Sequence, residues 1–246
     1  MSLRVACATV LALALVASAE SAASTRSKPS PPAWVLQGAY VPTIHPTNFV
    51  RVVDNEYFPL ARGTKFHFEG VSDGTPQTDD VVVTTRIRVV LGVRCTVVRD
   101  TVAEDGKAVE RTFDWYAQDR QGDVWYMGED SLELKNGRLV RADDSWEAGV
   151  NGAKPGIIMR AHPRPGDVYR QEYYRLGGAL DQARVVEASP TVRVPDGSIR
   201  RALVTIEWSP VEPQLEKKLY VRGLGEVQEE VIAGGHERFR LTRATS

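Results

Sequence analysis

The chain is poor in cysteine, histidine and lysine, and each shortage excludes something. Two cysteines in 246 residues cannot build a disulfide-stapled scaffold or a Cys-rich zinc fold. The four histidines, His45, His67, His162 and His236, are scattered, so no local pair starts a metal site. Lysine is scarce beside arginine, 7 against 24, a bias that points to a GC-rich, bacterial genome. Neither sign of charge is in excess: 31 Lys+Arg stand against 32 Asp+Glu. The basic surplus that a nucleic-acid partner requires is therefore missing.

Familiar catalytic spacings are missing too. There is no G-x-S-x-G, H-E-x-x-H, P-loop or C-x-x-C. Gly223-Leu-Gly225 has no third glycine and precedes a strand-like run, which excludes a dinucleotide site. No cofactor and no metal is expected. Asp119-Arg-Gln-Gly-Asp123 has two acids at calcium-loop distance, but it lacks alternating oxygen ligands.

The one apolar run is short. Arg4 precedes the uncharged residues 5–19, which end in Ala17-Ser-Ala19 before Glu20. A membrane helix needs about 20 apolar residues, so the reading is a secretory signal peptide over 1–19, with cleavage after Ala22 or Ala23 as the alternative. An uncleaved anchor is the competing view. Cleavage leaves Cys95 as the only thiol and no membrane span. Cys95 lies in a strand-like segment with no activating neighbour and reads as a small buried hydrophobe. Residues 20–33 are Ser- and Pro-rich and read as a flexible tether. The location expected is secreted, periplasmic or cell-surface.

What is abundant is β-type sequence. Hydrophobic residues make up 42% of the chain, enough for one domain over 34–246. Short alternating runs follow one another, broken by Glu104-Asp-Gly-Lys107, Asn136-Gly137, Pro195-Asp-Gly197 and Ala233-Gly-Gly235. These are hairpin signals. About a dozen strands at regular spacing predict a mainly β chain, a single antiparallel barrel or sandwich. From 142 to 167 the period vanishes among seven glycines and prolines, Gly149 to Gly166. This stretch is expected to be one long Gly/Pro-rich loop bordering the main pocket.

Several segments, taken together, resemble a family of secreted, uncharacterised bacterial β-rich proteins. They are Asn55-Glu-Tyr-Phe-Pro-Leu60, Asp114-Trp-Tyr-Ala-Gln-Asp119, Gly122-Asp-Val-Trp-Tyr-Met-Gly-Glu129, residues 91–100, 146–159 and 169–173, and Glu207-Trp-Ser-Pro-Val-Glu-Pro213. The resemblance covers most of 55–242. It implies export and a β fold, and no activity.

Acids stand directly before aromatics in Asp114-Trp115, Glu172-Tyr173 and Glu207-Trp208. Adjacent strand residues face opposite ways. The plainer reading puts the aromatics in the core and the acids in water. The functional reading puts the acids inside, where their pKa values rise. On that reading the site residues are Asp114, Tyr116, Glu129, Trp146, Met159, His162, Glu172, Tyr173 and Glu207. The function expected is binding of a small apolar or amphipathic ligand in a barrel. A cofactor-free hydrolase, lyase or isomerase using paired carboxylates is the alternative, and convergence of two or more acids in one cavity favours it. A pocketless surface protein is the third possibility.

Overall fold

A computed structural model describes residues 29–211 and 214–245. The expected signal peptide and residues 20–28 of the tether lie outside the described residues. Residues 29–53 form an irregular strap with one 3₁₀ turn, Pro46–Asn48.

Eighteen strands follow in the described residues. A small hairpin, β1 (Asp54–Asn55) with β2 (Phe58–Pro59), comes first. The long meander β3 (Lys65–Ser72), β4 (Thr75–Val90), β5 (Val93–Glu104), β6 (Lys107–Gln118), β7 (Val124–Lys135) builds one wall. Then come β8 (Arg138–Arg141), β9 (Trp146–Glu147), β10 (Lys154–Met159), β11 (Val168–Arg170), β12 (Glu172–Tyr173), β13 (Gln182–Val185) and β14 (Thr191–Arg193). The last four are β15 (Ile199–Trp208), β16 (Leu215–Val221), β17 (Gly225–Ala233) and β18 (Glu237–Thr245).

The turns explain the meander. Asp105-Gly106 and Asn136-Gly137 both hold positive φ at the two central positions, 49° and 72°, 52° and 77°. That conformation matches the strand twist and suits Asn, Asp and Gly. Asp73-Gly74 makes a further turn of this kind, from which β4 begins at Thr75. Leu91 also sits at φ 49°, costly for leucine. Its side chain lies over Gly149, where an added Cβ would come within 2.5 Å of Leu91 Cδ2.

Hydrogen bonding runs β11-β13-β15-β16-β17-β18-β3-β4-β5-β6-β7-β10-β12. The two ends of that path are consecutive in sequence, separated by Gln171 alone. One kinked segment therefore pairs with both margins and nearly closes an antiparallel barrel.

The 142–167 stretch is not a continuous loop. It contains β9 and β10, and β10 pairs with both β7 and β12. Two residues that mask the strand pattern are what the position requires. Pro155 gives up one ladder donor, and Gly156 lies so close to Gln171 that an added Cβ would be 2.2 Å from its carbonyl oxygen.

Cross-strand partners share a face, so register traces the barrel interior. Phe66 pairs with Val81, Phe68 with Asp79, Asp79 with Val102, Val98 with Asp114 and Asp114 with Glu129. On the other side Thr205 pairs with Lys218, Lys218 with Glu229, Glu229 with Phe239 and Phe239 with Gly70. One end of the interior is apolar. There Phe66, Phe68, Val81 and Val98 meet Phe58 and Leu60 across a cavity of about 50 Å³. The β1–β2 hairpin plugs this end. Asn55 pins it, accepting from the Tyr57 and Phe58 N–H groups and donating to the Gly122 and Arg160 carbonyls. Toward the other end the interior becomes acidic. The outer wall carries exposed Lys65, Glu69, Asp80, Arg86, Arg238 and Arg240, unlike the apolar band of a membrane barrel. No helix among the described residues is long and apolar enough to cross a membrane.

Candidate functional site

Three neighbouring strand positions supply the first group. Asp114 on β6 and Glu129 on β7 are register partners, and Tyr126 sits between them. Its hydroxyl lies 2.6 Å from Asp114 Oδ1 and 2.8 Å from Glu129 Oε2. A phenol has one proton to donate. If it donates to one carboxylate, the other carboxyl must carry a proton and donate to it. Burial and then the Glu129 charge push Asp114 well above the usual carboxylate range. Burial and both acids push the Tyr126 hydroxyl up as well. Tyr116 stacks on Tyr126 at 4.8 Å and Trp146 meets it edge-on at 5.3 Å.

A second group lies across the interior. Lys218, fully buried, stands 3.6 Å from Glu207 and 3.5 Å from Glu229. Desolvation pulls Lys218 down, but Glu229 and Glu207 outweigh it and hold it protonated. Thr205 Oγ1 donates to Glu207 Oε1 at 2.8 Å. Burial, with Glu229 next, raises Glu216, and the half-buried Glu226 is raised chiefly by burial. Glu237 is pushed up to about 8 by burial and by Glu229.

Asp79 and Asp100 join the two groups. Burial raises both; contact with Asp100 pushes Asp79 up further, and contact with Asp79 pulls Asp100 back. Apart from the hydrogen bond between these two carboxyls, both Asp100 oxygens, Asp79 Oδ1 and Asp114 Oδ2 are buried without a donor among the described residues. Like charges sharing a dry space cannot all ionise. The interior therefore holds neutral carboxyls beside ionised ones.

All three acids of the acid–aromatic pairs are buried: Asp114, Glu172 and Glu207 are 1%, 2% and 4% exposed. Their aromatics are elsewhere. Trp115 lies under the Arg88 guanidinium, 4.4 Å from its ring. Tyr173 packs on Tyr40, and Trp208 lines a cavity beneath the strap. Of the sequence-predicted site residues, Asp114, Tyr116, Glu129 and Trp146 come together around Tyr126, and Glu172 is close enough to perturb it. Glu207 belongs to the Lys218 group. Met159 is fully buried in the apolar core. His162 is exposed. Sequence reasoning missed Asp79, Asp100, Glu216, Lys218, Glu226, Glu229 and Glu237. Once register is known the signal is plain: Asp100 stands between Val98 and Val102 and Glu229 between Val227 and Val231 on one face, and Glu216 and Lys218 lie two apart on β16.

Asp119 does other work. Its carboxylate accepts from the Gln121 and Asp123 N–H groups and from Trp125 Nε1. It caps a turn, which leaves no oxygen set for calcium there. Among the described residues no group of three His, Cys, Asp or Glu could hold a metal. Cys95 is fully buried, with its thiol pushed up to about 12 by desolvation, so it is inert as a nucleophile.

Outside the barrel, the strap crosses β11, β12 and β13. The Leu36 N–H donates to Gln182 Oε1, Arg170 Nη2 donates to the Leu36 carbonyl, and Lys154 donates to the Tyr40 carbonyl. A cavity of about 560 Å³ remains between strap and wall.

No family model matches the chain, and no curated protein matches it. Among solved structures, one described as an exported protein with a YmcC-like fold from Bacteroides fragilis is similar. Identity is 15%, the match covers 77% of this chain and 99% of that one, and the TM-score is 0.45.

Proposed function

We propose that this is an exported β-barrel that binds a small amphipathic molecule with a cationic head. Export rests on the Arg4, apolar-run and Ala-x-Ala pattern at the N-terminus. The observation that carries the ligand is the buried Asp79–Asp100 pair, whose carboxyls hydrogen-bond each other and, apart from that contact, leave both Asp100 oxygens and Asp79 Oδ1 without a donor among the described residues. A cation supplied from outside would give such carboxylates the partner that Lys218 gives Glu207 and Glu229. The apolar cavity of about 50 Å³ behind Phe66 and Phe68 has room for a short apolar group.

Isothermal titration with ethyltrimethylammonium at pH 7 tests this. Binding should weaken at least about tenfold in Asp100→Asn, because a charge-assisted contact is lost. Equal binding by parent and variant would exclude the interior as the site.

The Asp114–Tyr126–Glu129 arrangement favours a second reading, acid–base catalysis. Two of the sequence-predicted acids converge there and share a proton through a tyrosine, as a general acid and base would require. Turnover of any substrate that is lost in Asp114→Asn and kept in Asp100→Asn would support this reading over simple binding.

A further inference from the structure

The cavity under the strap differs in every respect from the barrel interior. Its walls are largely apolar: Val35 and Leu36 from the strap, Leu180 and Trp208 from the barrel. Its lining includes Arg170, Arg175, Gln37 and Gln182 and no Asp or Glu. Arg170 is only 8% exposed, yet no carboxylate among the described residues pairs with it. Its guanidinium lies 5.8 Å from the Tyr40 ring and 5.2 Å from the Tyr173 ring. Nη2 is spent on the Leu36 and Gly38 carbonyls at 2.8 and 3.4 Å. That leaves Nε and Nη1 with no acceptor among the described residues. Arg175, exposed, lines the same cavity. The Trp208 indole N–H is buried there with no acceptor among the described residues.

We propose that this cavity is a separate binding site for a fatty-carboxylate type of ligand, a small organic anion with a hydrocarbon tail. An arginine cannot shed its proton to survive burial, so a partly covered guanidinium with spare N–H groups calls for an acceptor of opposite charge. A carboxylate can accept a charge-assisted hydrogen bond from Nε–H or from Nη1–H. The indole N–H is a third donor. The tail would lie along Val35, Leu36 and Leu180. A cavity of this size is in the range used for small ligands, about 300–1,000 Å³.

Titration of the purified protein with decanoate, decanol and decyltrimethylammonium at pH 7 reads the proposal directly. Decanoate should bind at least about tenfold more tightly than decanol, and Arg170→Gln should remove that advantage. Arg175→Gln, at an exposed position, should weaken decanoate about threefold. Trp208→Phe keeps the ring, loses the N–H and should also weaken it. If Arg170→Gln loses its β circular-dichroism spectrum, the other two variants decide. Equal binding of decanol overturns the carboxylate assignment, and unchanged affinity in the folded variants overturns the site. Loss of decanoate binding in Asp100→Asn with Arg170→Gln unaffected would place the anion in the barrel and overturn it too. Since Asp100 belongs to the interior alone, failure here leaves the cation reading standing, and failure there leaves this one.

Discussion

The barrel interior and the strap cavity bury charge by opposite means. Inside, carboxyls are crowded against one another, and the excess is relieved by protonation: Asp79 and Asp114 are both pushed well above the usual range by burial. Under the strap, Arg170 keeps its charge and is solvated by two backbone carbonyls and two aromatic faces. An acid can neutralise itself and an arginine cannot. The interior should therefore respond to pH, and the strap cavity should not.

The largest effect should come from removing the interior cation. Lys218→Met leaves Glu207 and Glu229 facing each other without their shared partner. Urea unfolding at pH 7 should show a loss of about 3–5 kcal/mol. Adding Glu229→Gln to that variant should recover part of it; no recovery would mean that the lysine stem, and not its charge, matters.

Next comes the seam between the two regions. Gly156→Ala places a Cβ against the Gln171 carbonyl, where the kinked segment joins β10. The overlap involves backbone, so a loss of about 1–3 kcal/mol is expected in the same unfolding assay.

Stability should also fall with rising pH. Carboxyls with raised values bind protons more tightly folded than unfolded. Their contribution is complete below the unfolded value of about 4 and is lost as pH rises through the folded one, which for Glu237 is about 8. Thermal melts should give a higher Tm at pH 5 than at pH 8. Glu230, held below its usual value by Lys217, works in the opposite direction, but it is surface-exposed and small in effect.

The smallest effect is expected at Asp114. Its amide can still accept from Tyr126, and the charge it lacks is one that burial disfavours. Asp114→Asn should match or exceed the parent in stability at pH 8. A large loss would show that Asp114 is ionised and paired.

Much of the fold was legible because turn chemistry is local. Asp-Gly and Asn-Gly specify left-handed conformations whatever surrounds them, and they fixed the β5–β6 and β7–β8 hairpins in advance. β10 was not legible. Pro155 and Gly156 read as breakers, and their reason for being there is Gln171, distant in sequence and adjacent in space. The acid–aromatic pairs revealed two alternating faces but not which one was inside. That choice belongs to barrel closure. Trp115 can face outward because Arg88 covers it, and the sequence does not show that the two are neighbours. Lys218 stayed hidden for the same reason, since Glu207 and Glu229 reach it only through the register of β15, β16 and β17.

The folded interior keeps carboxyls neutral near neutral pH. Carbon-13 NMR of protein labelled at the Asp and Glu side-chain carboxyls tests it most directly. At pH 7 protonated-carboxyl resonances are expected, including one that disappears in Asp114→Asn. A spectrum at pH 7 in which every Asp and Glu carboxyl resonates as an ionised carboxylate would contradict it.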